Sequence, residues 1–141
     1  MGSMLAGPAG FIDQARHIQR ILGGVMRQVG FMAAAALYAL RTNIARLAED
    51  HANCRLMAEI IACNPAAEVD MDAVQTNLLY FRVHGGERQA ESLLARMAEE
   101  GILAFRVGDL VRLVTCLNVD KADCESAARR IDGLLREESK S

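Results

Sequence analysis

The run at residues 28–40, Gln-Val-Gly-Phe-Met-Ala-Ala-Ala-Ala-Leu-Tyr-Ala-Leu, carries no charge. Alanine, leucine and methionine favour helix, so residues 26–40 read as a helix that is apolar nearly all round. Such a helix needs protein on most of its sides, and a chain of 141 residues has little to surround it with. It is also too short to cross a bilayer, which takes roughly 20 apolar residues. The feature therefore constrains assembly. The expectation is an incomplete piece of a larger protein, with no complete catalytic site of its own.

The remainder has an ordinary globular balance, 52% hydrophobic and 24% charged with a net charge of -2. No block of lysine or arginine stands out, so nucleic acid is not an expected partner. The first residues lack a basic n-region and do not read as a signal peptide. With no membrane span either, the expected location is the cytoplasm. The cysteines at 54, 63, 116 and 124 form no Cys-x-x-Cys pair, and no histidine stands at ligand spacing from two of them. Neither a metal site nor a disulfide is expected. Tryptophan is absent, so methionine and alanine are left to fill the core.

Residues 3–6 form a short apolar run that reads as the end of a strand, whose partners must come from elsewhere. Apolar positions at 11, 12, 15, 18, 21 and 22 predict a helix over 9–22, stopped by Gly23 and Gly24. A third helix is predicted over 42–63, with Thr42 or Asn43 as its cap. An acidic loop follows over 64–75. Then come a strand at 76–83, a helix at 87–100 closed by Gly101, strands at 102–106 and 110–116 around a turn at 107–109, and a helix at 120–135. The order from residue 64 onward gives an α+β class: a small antiparallel sheet covered by helices on one face.

Two sets of segments carry a resemblance. The first comprises Gly2 to Gly7, Phe11 and Ile12, Ala15 and Arg16, the loop Gly23-Gly24-Val25-Met26-Arg27-Gln28-Val29-Gly30, Ala33 to Ala35, Tyr38 to Leu40, and Arg46 to His51. The second comprises Gln75 to Asn77, Gly101 to Leu103, Val111-Arg112-Leu113-Val114-Thr115, and Val119 with Asp120. In order and spacing the chain resembles the C-terminal part of the bacterial low-specificity L-threonine aldolases, which are fold-type I pyridoxal-phosphate enzymes. The resemblance runs from residue 2 to about residue 135. It implies that residues 1–40 are the tail of a large cofactor-binding domain with its connecting helix, and that 41–141 form the C-terminal small domain.

The resemblance further implies a lyase that cleaves β-hydroxy-α-amino acids such as threonine and allo-threonine to glycine and an aldehyde. Pyridoxal 5'-phosphate would be its cofactor and a homo-oligomer, dimer or tetramer, its working form. The family's cofactor lysine lies just before the Gly-Ser pair, so it is expected to be missing here. Lys121 and Lys140, at a helix start and in the tail, do not suit that role. The fragment alone is then expected to be inactive, with no cofactor covalently held.

Arg112 matches the family's substrate-carboxylate arginine. A guanidinium offers two parallel donors to a carboxylate and stays charged. The plainer reading is an outward arginine on a half-exposed strand. Arg27 follows the glycine pair at an expected helix N-terminus, where the resemblance implies proximity to the cofactor phosphate of a neighbouring subunit. A first-turn surface arginine is its plainer reading. Arg20 stands where the family usually has lysine, Val25 where a third glycine is usual, and Cys116 where histidine is usual. His17, His51 and His84 read as surface or capping residues. Two alternatives remain: a non-catalytic dimerisation or interaction module built on the apolar helix, and part of a β-eliminating lyase with the same cofactor.

Overall fold

The computed structural model describes residues 5–138 and contains two compact units, Met1–Ala45 and Arg46–Ser141. The first unit holds α1 (Ala9–Ile21) and α2 (Gly30–Thr42). Gly23, at φ +69°, turns the chain out of α1, and the amide of Gly24 donates to the carbonyl of Gln19 at 2.8 Å. The second helix begins at Gly30 rather than at residue 26, because Gln28 sits in the left-handed region at φ +55° and interrupts the helical path. It continues to Thr42, whose hydroxyl donates back to the carbonyl of Tyr38 at 2.7 Å instead of capping the next helix. No residue of α1 or α2 is buried, and Phe31 is 92% exposed. Of the strand expected at 3–6, residues 3 and 4 lie outside the described residues, and Leu5 and Ala6 have no regular structure.

The second unit begins with α3 (Leu47–Ala62). Its start lies later than expected, and no side chain caps it. Glu49 and Asp50 instead place negative charge in the first turn, where the helix dipole favours it. Four strands follow in the antiparallel order β1-β2-β4-β3: β1 (Ala67–Glu68), β2 (Leu78–Val83), β3 (Phe105–Val107) and β4 (Leu110–Val114). α4 (Glu87–Glu99) lies between β2 and β3 in sequence, and α5 (Lys121–Glu138) follows β4. The two-residue β1, inside the acidic loop, was not foreseen.

Period-two alternation decides the sheet's two sides. Leu79, Phe81 and Val83 of β2 and Val111 and Leu113 of β4 turn inward and are buried. They meet Cys54, Met57, Ala58 and Ile61 of α3, Ala90, Leu93 and Met97 of α4, and Ile131 and Leu135 of α5 in one core. The expected α+β layer, an antiparallel sheet with helices over one face, is what forms. Arg96 ties α4 to α5 through the carbonyl of Leu134 at 3.2 Å and the carboxylate of Glu137. Asn64, buried just after α3, donates to the carbonyl and carboxylate of Asp132 on α5 at 3.1 and 2.7 Å.

Candidate functional site

The side of the sheet opposite α3, α4 and α5 carries this unit's unusual chemistry. Antiparallel register lines up residues across strands. Tyr80 of β2 pairs with Arg112 of β4, which pairs with Phe105 of β3. One row along, Arg82 opposes Leu110 and Leu110 opposes Val107; Leu78 opposes Val114 on the other side. Leu78, Tyr80, Phe105, Val107 and Val114 are all exposed. This face is therefore apolar and aromatic, with arginine in its middle row.

Arg112 occupies that row half-buried. Its Nε is shut away from the surface and has no hydrogen-bond partner. Its guanidinium carbon lies over the Phe105 ring, 5.1 Å from the centroid. Among the described residues three arginines are half-buried: Arg46, Arg96 and Arg112. Arg46 is fixed on Asp50 by two hydrogen bonds, at 3.2 and 3.0 Å, and Arg96 pairs with Glu137. Arg112 has no carboxylate partner among the described residues. Removing a cation from water costs free energy that an ion pair or bound anion normally offsets, so this one stands out.

The neighbouring cation is already satisfied. Arg82 donates to Asp109 at 2.6 Å and to Glu68 at 3.3 Å. Its hydrogen bond holds the Asp109 carboxyl below the usual carboxylate range. A cleft of about 290 Å³ elsewhere in the unit, lined by Met57, Leu113, Thr115, Val119 and Arg130 among others, offers no free cation, since Arg130 is bonded to Glu100 at 2.7 Å.

β4 is held firmly where Arg112 emerges from it. Past its end, the buried hydroxyl of Thr115 donates to the carbonyl of Asp50 at 2.7 Å. The side-chain amide of Asn77 donates to the carbonyl of Thr115 at 2.8 Å. Asp50 is in turn held by Arg46, so one polar network joins α3 to the strand.

Arg20 and Arg27 belong to the first unit. Arg20 lies in the last turn of α1 and is exposed, without an ion pair among the described residues. Arg27 is exposed in the loop before α2, not in a first helical turn as expected. Positive φ in this loop falls on Gly23 and Gln28, and Val25 is not among the residues that adopt it. Cys116, His17, His51 and His84 are exposed, as is Lys121 at the first residue of α5; Lys140 lies outside the described residues. Among the described residues no three His, Cys, Asp or Glu side chains converge as metal ligands, and no helix is long and apolar enough to cross a membrane.

Phe105, Tyr80 and Asp50 were missed as site residues. The first could have been found. A tight turn at Gly108 and Asp109 makes Phe105 the partner of Arg112.

A family model described as beta-eliminating lyase matches residues 1–84. The chain belongs to the beta-eliminating lyase family. Individual relatives match over longer stretches. The chain is 39% identical over 128 residues to the low specificity L-threonine aldolase of Escherichia coli (strain K12), covering 91% of this chain and 37% of that protein. It is 38% identical over 107 residues to low-specificity L-threonine aldolase 1 of Arabidopsis thaliana, covering 75% of this chain and 30% of that one. A Candida albicans low-specificity L-threonine aldolase is 25% identical over 116 residues. The chain thus spans about a third of the length of the curated relatives it matches.

Proposed function

We propose that this chain is the C-terminal portion of a pyridoxal-phosphate-dependent lyase that cleaves β-hydroxy-α-amino acids, threonine among them, to glycine and an aldehyde. Its own contribution is the subsite for the substrate carboxylate. The carrying observation is Arg112: a half-buried guanidinium with an unpartnered Nε and, among the described residues, no carboxylate of its own. Its donors suit a planar anion held through two parallel hydrogen bonds. Held there, the carboxylate orients the amino acid's remaining bonds, and the surrounding Leu78, Val114 and Phe105 limit the water that competes for it.

The chain's cations fit the implied cofactor's phosphate as well. Arg20 and Arg27 are exposed and unpaired among the described residues, and we assign them to a cofactor-phosphate or neighbouring-subunit site. When bound, pyridoxal phosphate supplies an electron sink for the carbon whose bond to the hydroxylated carbon is broken. Neither Lys121 nor the tail lysine is assigned to hold it.

The test is substitution of Arg112 by lysine and by leucine in the holoenzyme that contains this chain. Losing a charge-assisted bidentate contact is worth about 1.5–3 kcal/mol, so KM for threonine should rise at least tenfold in Arg112→Leu. The variant should also stop preferring threonine over its uncharged carboxamide. An unchanged preference sinks the assignment.

A second reading concerns assembly. The apolar side chains of α2, including Phe31, Tyr38 and Leu40, are exposed in this chain. That favours a homo-oligomer, with or without catalysis. Light scattering after size exclusion tests it, and a strictly monomeric chain at all concentrations argues against it.

A further inference from the structure

We infer that Phe105 is a positioning residue for Arg112, holding its guanidinium in place without occupying a hydrogen-bond donor or neutralising the charge. The inference rests on the reading of Arg112 as a carboxylate receptor and adds the device that keeps the receptor ready.

Three observations converge. The first is register: the turn at Gly108, φ +62°, places Phe105 directly opposite Arg112 on the adjacent strand. The second is contact: the guanidinium carbon stands over the ring at 5.1 Å. The third is exposure. Phe105 is 65% exposed on an edge strand and lies outside the core. Edge strands usually carry charge or proline rather than a bare phenyl group. The attraction between a cation and a ring face grows as the pair is removed from water, and Arg112 is partly removed.

Alternative supports would work against the function. A carboxylate beside Arg112 would neutralise it and take the donors that a substrate needs. That is the fate of Arg106, one residue along β3, which donates to Glu87 at 2.8 Å and to the carbonyl of Gly108 at 2.7 Å. A ring face restrains the guanidinium and leaves its in-plane N–H groups free. Without it, the side chain would be free to sample rotamers, and binding would have to restrict them.

Two measurements test this together. In the 141-residue chain, the Arg112 Nε–H proton should show an upfield ring-current displacement in a ¹H–¹⁵N spectrum. Phe105→Leu, which keeps apolar bulk, should abolish it, and Phe105→Tyr should keep it. In the holoenzyme, Phe105→Leu should raise KM for threonine about three- to tenfold with kcat within about twofold, and Phe105→Tyr should restore it. An Nε–H resonance unmoved by Phe105→Leu overturns the inference. So does an unchanged KM in Phe105→Leu where Arg112→Leu raises it, which leaves the carboxylate reading standing. If neither substitution moves KM, the carboxylate reading fails and takes this inference with it. Equal losses of kcat in the leucine and tyrosine variants would mark a merely structural ring and overturn it too.

Discussion

Replacing Asn64 by aspartate exchanges a buried pair of hydrogen-bond donors for a second carboxylate. Asn64 is 1% exposed, and its amide donates to the Asp132 carboxylate at 2.7 Å and to the Asp132 carbonyl at 3.1 Å, while its oxygen accepts from the amide of Ala66 at 2.9 Å. Asn64→Ala loses these bonds and should cost about 2–3 kcal/mol. Asn64→Asp loses the donors and adds repulsion. Two like charges about 4 Å apart at an effective permittivity near 20 repel by about 4 kcal/mol. Arg136, 2.9 Å from the other Asp132 oxygen, offsets part of that. The net cost near neutral pH should be about 4–5 kcal/mol, a large share of the roughly 5–15 kcal/mol available to a domain.

The pH dependence separates this reasoning from a simple packing defect. In the native chain the Asp132 carboxyl is lowered below its ordinary 3.8, first by the Arg136 hydrogen bond and, against burial, by Asn64. A lowered folded pKa stabilises above the unfolded value and is lost as pH falls through the folded one. Between about pH 4.5 and 7 this group therefore contributes a flat profile. In Asn64→Asp the two carboxyls share a proton, so the pair's folded pKa is raised. That contribution is present in acid and is lost as pH rises. The urea midpoint, followed by circular dichroism because the chain has no tryptophan, should rise for Asn64→Asp on going from pH 7 to about 4.5. Asn64→Ala should follow the native profile. If the two variants track each other across that range, the Asn64–Asp132 contact does not exist as described.

Phe81→Ala, at the centre of the core, should cost about 3–5 kcal/mol in urea unfolding, whereas Tyr80→Ala, on the open face next to it, should cost clearly less; equal costs would mean the sheet's faces are misassigned. Thiol labelling should find Cys63 and Cys116 fast, and Cys54 and Cys124 slow until the chain unfolds. Burial raises the thiols of both slow residues, that of Cys54 to about 11, so raising pH to about 9 should not close the gap. The 141-residue chain alone, given pyridoxal phosphate and threonine, should release no glycine, and release would overturn the assignment of cofactor anchoring to residues other than Lys121 and Lys140.

The elements with a strong period were legible, because their apolar faces are what the core buries. The stripe of Ala90, Leu93 and Met97 on α4 and the alternation of β2 are cases in point. Boundaries failed where one backbone angle overrode propensity. Residues 26–29 contain nothing that forbids a helix, yet Gln28 at φ +55° keeps them out of α2. Thr42 looks like a cap but spends its hydroxyl one turn back, on Tyr38. β1 is two residues long and exists because β2 offers it an edge, a tertiary cause with no local signature.

The same distinction explains what could be read of the site. An arginine inside an apolar strand conflicts with its surroundings, and such local conflicts mark functional positions. That much needed only the pentapeptide at residues 110–114. What the pentapeptide could not say is whether the charge has an answering carboxylate, since several ion pairs in this unit bridge residues far apart in sequence, as Arg82 does with Glu68. Folding brings acidic residues to Arg82, Arg106 and Arg46 and brings a phenyl ring to Arg112. On the proposed reading, the absence of an answering carboxylate at Arg112 among the described residues, rather than the presence of a cation, is what separates a receptor from a strut. It also predicts the effect of supplying one. Val114→Glu, in the next row of the open face and two residues along β4, should occupy Arg112 from within and weaken carboxylate binding. Screening by salt should restore part of it, whereas a purely steric block by the new side chain would be indifferent to salt and would refute the electrostatic account.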